Sequence, residues 1–316
     1  MELAKISGRS NINNPMNNFK LSGILPPITT PFSARGEVDY GALASNIERY
    51  NTTGLAGYVA LGSNGEAVHL VADERRRVLE TVKRAATSHH TIIGGVNELS
   101  TRAAIESSKA AADCGADAVL VVTPYYYKSR MTQEALATHF TEVAENSPVP
   151  VLIYNFPQST GVVIESQTIA ALGAHPNIIG VKDSAGNMGA ISETIRLAPE
   201  GFAVMTGNGG ILYTSLMMGA AGAILGVACA APRPCVELYE AARVGDHQRA
   251  RELQNRISPL SQTVTAVLSV PGLKAAMDIL GFAGGFPRAP LSPVSDSDRE
   301  RIRTVIRNTG LFPEIE

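Results

Sequence analysis

The chain has 316 residues, 45% of them hydrophobic, enough to bury one large core, alone or with an appendage. Its 27 basic residues nearly balance 29 acidic ones, for a net charge of −2, and no basic stripe interleaves with aromatics, which argues against nucleic acid as a partner. Every long apolar stretch is broken by Gly, Pro or a charge well before the roughly 20 residues that a membrane span requires.

In chain order, the first 18 residues are polar and rich in Asn, with neither the apolar centre of a secretory signal nor the Arg content of a transit peptide, so residues 1–19 read as a polar tail. Apolar runs of strand length then recur at 23–29, 57–61, 91–96, 118–122, 151–154, 178–182, 203–207 and 222–225. Amphipathic stretches at 39–51, 73–86, 101–114, 133–145 and 191–197 lie between them, with Asp39, Asp73 and Thr132 placed as caps or first-turn residues. Leu43, Ile47 and Tyr50 repeat at the spacing of one helix face. Continuous apolar strands alternating with helices indicate an all-parallel sheet covered on its outer side. Eight such units predict a closed (β/α)₈ TIM barrel, and the segment after the first strand, Ile28-Thr-Thr-Pro31, lacks the glycine turn of a dinucleotide-binding sheet.

From about Pro232 the pattern is helical throughout, with expected breaks at Gly245, at Pro271-Gly272 and across 284–293. A helix over 235–243 completes the barrel, and Ser295 with Asp298 reads as a capping box opening the last helix. This gives a barrel over 20–245 and a C-terminal helical extension over 246–316, packed on the barrel or on a neighbouring subunit. Three cysteines at unpatterned spacing (Cys114, Cys229, Cys235) suggest no disulfide framework and a cytoplasmic protein. The six histidines form no ligand pair, so no metal is expected, and His89-His90 reads as a solvated loop.

The most informative residue is Lys182, which ends the apolar run 178–182. Burying an ammonium without a counter-charge is costly, and an uncharged amine at the mouth of a strand can form a Schiff base with a ketone or aldehyde. In a TIM barrel, catalytic groups sit at the carboxyl ends of strands. Five unusual segments fall at such ends: Gly62-Ser63-Asn64-Gly65-Glu66, Thr123-Pro-Tyr125-Tyr126-Tyr127, Tyr154-Asn155, Lys182-Asp183-Ser184 and Thr206-Gly207-Asn208-Gly209. The backbone of Gly62, Ser63 and Asn64 can cradle a carboxylate, with the Ser63 hydroxyl as a further donor. Three adjacent tyrosines cannot all face one core, so at least one points to solvent, a neighbour or a ligand. Gly207–Gly210 could hold a phosphate, but no Lys or Arg lies in that stretch.

These segments, in this order, resemble the dihydrodipicolinate synthase / N-acetylneuraminate lyase family of class I aldolases, and the resemblance runs from about Lys20 to Phe312. It implies a barrel with a C-terminal helical extension, no cofactor, and a homotetramer built as a dimer of dimers. Lys182 then corresponds to the Schiff-base lysine and Tyr154 to the tyrosine that shuttles protons. Ser63 would link Tyr154 to a second tyrosine, Tyr126, which in the family reaches into a neighbouring subunit's site. Gly62 and Asn64 would hold the oxo-acid carboxylate; Gly207 and Ile224 would line the pocket, with Ser159 and Ser184 as further substrate contacts.

The departures bear on the substrate. Dihydrodipicolinate synthases usually carry an arginine where this chain has Ser159, and a second hydroxyl where it has Asn64; histidines tied to lysine feedback in some members are here Ala72 and Arg75. The set Gly-Ser-Asn-Gly, Tyr126-Tyr127-Lys-Ser-Arg130-Met131, Pro271-Gly-Leu-Lys274 and Arg288-Ala-Pro-Leu291 more closely resembles 4-hydroxy-2-oxoglutarate aldolases. The expectation is therefore a lyase that cleaves 4-hydroxy-2-oxoglutarate to pyruvate and glyoxylate, with small-molecule 2-oxo acid and aldehyde partners. The runner-up is condensation of pyruvate with aspartate semialdehyde, and outside catalysis the alternative is a keto-acid-binding barrel.

Overall fold

The computed structural model describes residues 19–313; the expected polar tail, apart from its last residue, lies outside them. Eight parallel strands form one sheet in the order β1-β8-β7-β6-β5-β4-β3-β2. They are β1 (Gly23–Leu25), β2 (Gly57–Ala60), β3 (Thr91–Val96), β4 (Ala118–Val122), β5 (Val151–Asn155), β6 (Ile178–Asp183), β7 (Ala203–Thr206) and β8 (Gly222–Ile224). The ends meet through Ala56 N–H donating to Ile24 O (3.0 Å), Val59 N–H to Pro26 O (3.0 Å) and Ile28 N–H to Val59 O (3.0 Å), which close the barrel. Pro26 and Pro27 explain why β1 stops at Leu25 instead of running to Thr29, since neither proline has an N–H for the ladder.

The helices between strands are α1 (Tyr40–Tyr50), α2 (Ala72–Ala85), α3 (Thr101–Asp113), α4 (Gln133–Asn146), the short α5 (Pro157–Thr160) and α6 (Ser166–Leu172), α7 (Met188–Leu197), and α8 (Leu212–Met217). Asp39 and Thr132 cap α1 and α4 by accepting from Ala42 N–H and Ala135 N–H. Asn187 caps α7, which starts at Met188, three residues before the expected start at Ile191. The alternation of each strand sorts two cores. Val119, Val121, Ile153, Val181 and Val204 face the helices, whereas Leu120, Leu152, Tyr154 and Met205 face the barrel interior, all of them buried. Each fully buried Leu, Ile or Val stabilises the fold by about 1.5–3 kcal/mol.

Beyond β8 come α9 (Pro232–Arg243), α10 (His247–Ser261), α11 (Ser269–Ile279) and α12 (Asp296–Thr309). The break expected at Pro271-Gly272 is not there: Pro271 sits in the first turn of α11, where its missing N–H costs no intrahelical bond. The interruption falls earlier, in a π-helical turn at Gln262–Val267 that follows Pro259 inside α10 and ends at Ser269, whose φ of 54° is left-handed. Ser295 Oγ accepts from Asp298 N–H at the start of α12, and its hydroxyl donates to Asp298. His90 is not solvated: it is buried with its ring 5.0 Å from that of Tyr58. No helix among the described residues is long and apolar enough to cross a membrane.

Candidate active site

Tyr154 and Lys182 are paired residues on the neighbouring strands β5 and β6, so both side chains project into the barrel at its carboxyl end. Both are buried, and the Lys182 Nζ lies 4.2 Å from the centre of the Tyr154 ring. Phe156 stacks on that ring at 5.5 Å and fixes its orientation. Lys182 makes no ion pair among the described residues and faces a cavity of about 350 Å³. The other buried lysine, Lys274, is held in the opposite way. Its Nζ lies 2.6 Å from Glu66 Oε1 and donates to Thr30 O (2.8 Å) and Phe286 O (2.7 Å), using all three N–H groups. One buried amine is tied down, and the other has no ion-pair partner among the described residues and faces the cavity.

The turn after β2 brings Ser63 to the cavity, its Oγ 3.4 Å from the Tyr154 hydroxyl. Gly62 caps this 3-10 turn, Ser63–Gly65, and the backbone N–H groups of Ser63 and Asn64 make no hydrogen bond among the described residues. They are free donors for an anion. Behind the turn, Glu66 adopts φ 52° and is buried against Lys274, while its Oε2 accepts from Arg288 N–H at 2.9 Å. Arg288 in turn grips Glu74 with two hydrogen bonds of 2.7 Å. Burial pushes the Lys274 ammonium below the usual lysine range, and Glu66 pulls it back up.

On the other side, Asp183 is buried beneath Lys182's strand end. Burial raises its carboxyl above the usual range, opposed by the Asn155 amide (2.7 Å) and Ala185 N–H (2.9 Å). Two glycines are required by close approach. A Cβ on Gly207 would collide with Ser184 Oγ, and one on Gly226 would lie 2.7 Å from Asn64 Nδ2 and 3.0 Å from Thr265.

Eight of the ten residues singled out from sequence line this cavity: Lys182, Tyr154, Ser63, Asn64, Ser159, Ser184, Gly207 and Ile224. Gly62 lies just behind it. Tyr126 does not reach it within one chain; it is 73% exposed, its ring edge-on to Tyr127. Sequence reasoning missed the far wall, made by Ser261, Gln262, Thr265 and Ser269 at the junction of α10 and α11. Pro259 followed by a polar Ser-Gln-Thr-Val-Thr stretch was the available signal.

A model of the dihydrodipicolinate synthetase family matches residues 20–309 of the chain. The chain belongs to this family. Its relatives include a 4-hydroxy-tetrahydrodipicolinate synthase of Methanothrix thermoacetophila, 36% identical over 285 residues, covering 90% of this chain and 95% of that one. Among solved structures, the chloride-inhibited dihydrodipicolinate synthase of Acinetobacter baumannii in complex with pyruvate is 34% identical, with a TM-score of 0.87 over 92% of this chain and 99% of that chain. A monomeric dihydrodipicolinate synthase variant is 30% identical, with a TM-score of 0.88 over 95% and 99%. This member of the family is thus an enzyme, a carbon–carbon lyase or synthase of the class I aldolase type with a TIM-barrel fold.

Proposed function

We propose that the enzyme joins or splits a pyruvate-type 2-oxo acid and an aldehyde through a Schiff base on Lys182. The observation that carries this reading is the buried Lys182 amine, without an ion-pair partner among the described residues, set in register with Tyr154 at the mouth of the barrel. The uncharged amine attacks the C2 ketone, while the oxo-acid carboxylate is held by the free N–H groups of Ser63 and Asn64. The carbinolamine loses water, with Tyr154 relaying the proton and Ser63 aligning the phenol. The protonated imine draws electrons from C3, so that in condensation a C3 proton passes to Tyr154 and leaves the enamine, and in cleavage the enamine left at C3 takes a proton back from Tyr154. In condensation, the enamine carbon attacks the aldehyde and Tyr154 protonates the new alkoxide. In cleavage, Tyr154 takes the C4 hydroxyl proton as the C3–C4 bond breaks. Tyr154→Phe is expected to lower kcat about 10²–10⁴-fold, the range for a positioned acid–base group, with little change in stability. A loss below tenfold would remove Tyr154 from the relay.

As to the aldehyde, the names of the relatives support aspartate semialdehyde, and hence 4-hydroxy-tetrahydrodipicolinate synthesis, ahead of the 4-hydroxy-2-oxoglutarate cleavage first expected from the motifs. One observation favours the second reading. Ser159 stands where such synthases usually have arginine, and Lys182 is the one cationic side chain lining the cavity among the described residues. Steady-state kinetics with pyruvate and each acceptor decides between them. The synthase reading expects kcat/KM for aspartate semialdehyde at least about tenfold above that for glyoxylate, or 1.4 kcal/mol of transition-state preference. The reverse order, with rapid cleavage of 4-hydroxy-2-oxoglutarate, selects the aldolase. We also propose a homotetramer in which exposed Tyr126 enters a neighbouring copy's site, and a functional division into a barrel over 20–245 and an extension over 246–316.

A further inference from the structure

A cavity larger than the one at Lys182 lies elsewhere in the molecule. A concavity of about 540 Å³ opens on the flank of the barrel, between the end of α1, the start of α9, α10 and the chain that follows α11 and α12. Among the described residues four arginines line it, Arg49, Arg233, Arg249 and Arg256, against a single carboxylate, Glu237. In a protein of net charge −2 this is a local concentration of positive charge, not a reflection of the whole surface.

Two of the guanidinium groups are held in place by the fold. Arg256 donates its Nε to Thr309 O at 2.7 Å and an Nη to Gly310 O, capping the carboxyl end of α12. Arg49 donates to Gly281 O just past α11 and lies 4.1 Å over the Phe282 ring. The other two contact only side chains. Arg249 lies between Glu237 (3.1 Å) and Glu252 (4.0 Å), and Arg233 reaches the Thr52 hydroxyl at 3.4 Å and forms no ion pair among the described residues. The remaining lining is largely apolar, with Pro232, Leu253, Leu280, Phe282 and Leu311. Guanidinium groups with spare N–H edges around an apolar floor suit an anion that carries an apolar body, the charge meeting the forks and the body replacing water on the floor.

We propose that this cavity is a binding site for a small organic phosphate or carboxylate with an aromatic or aliphatic body, separate from the Lys182 site. The proposal does not depend on which aldehyde the enzyme uses. Phenyl phosphate, titrated by calorimetry into the full-length protein, is the probe. It should bind once per chain, more tightly than inorganic phosphate by about tenfold, since the ring adds buried apolar area. Saturating pyruvate should leave its affinity unchanged. Arg233→Ser/Arg249→Ser, two exposed positions whose loss spares both helix caps, should weaken it at least about tenfold.

Four results would overturn the proposal. These are no binding, displacement by pyruvate, affinity in the double variant within about twofold of the parent, or inorganic phosphate binding as tightly as phenyl phosphate. Binding that emerges only in a variant ending at Pro313 would instead assign the cavity to the chain's own last residues, and would equally overturn it.

Discussion

Replacing Lys182 with alanine is expected to lower turnover by at least about 10⁴-fold, the scale on which loss of a covalent nucleophile acts. It should also abolish borohydride-dependent capture of pyruvate, read as the mass of the intact chain. The fold should survive. Lys182 has no carboxylate partner among the described residues, so its removal strands no opposite charge, and the lost side chain leaves space that already opens on the cavity. A variant that keeps more than about a hundredth of the activity, or is still labelled at the same stoichiometry, would end the Schiff-base reading at this residue.

The second large effect concerns the other buried lysine and takes the opposite form. Lys274→Met should cost about 3–5 kcal/mol of stability, because Glu66 is then left buried with its charge uncompensated. Both side chains of this pair are only 1% exposed, so water cannot take the place of the missing partner. The double variant Glu66→Gln/Lys274→Met should recover a substantial part of the loss, since a neutral pair avoids the burial of charge. Chemical denaturation measures both. A single variant within 1 kcal/mol of the parent, or a double variant no better than the single, would show that the pair holds nothing together. The two lysines thus separate by assay: one substitution removes chemistry and spares the fold, the other does the reverse.

Much of the barrel was legible because its strands are short, wholly apolar and separated by helices with ordinary caps. Lys182 was legible for the same reason: a charge at the end of such a run contradicts its surroundings. What the sequence concealed depended on contacts between distant segments. Glu66 looked like the end of a turn motif until Lys274 and Arg288, more than 200 residues away, were seen to enclose it. Pro271 has the look of a helix breaker in the sequence although its place in the first turn makes it harmless, while Pro259, within a helix, precedes the real interruption. His90 is buried by Tyr58, a contact that local polarity did not announce. The Ser159 departure was plain in the sequence, but its bearing on the aldehyde depends on the absence of any other cation along the cavity among the described residues.

The turn between α10 and α11 has a consequence for biosynthesis. All eight strands have been synthesised once Ile224 is made, yet the far wall of the pocket arrives only with Ser261–Ser269, and the cation for Glu66 with Lys274. Until then the nascent barrel carries a stranded carboxylate at its mouth and an unroofed amine. The enzyme therefore comes of age in one late step, and a chain interrupted before that point would be a substrate for quality control, not a smaller catalyst.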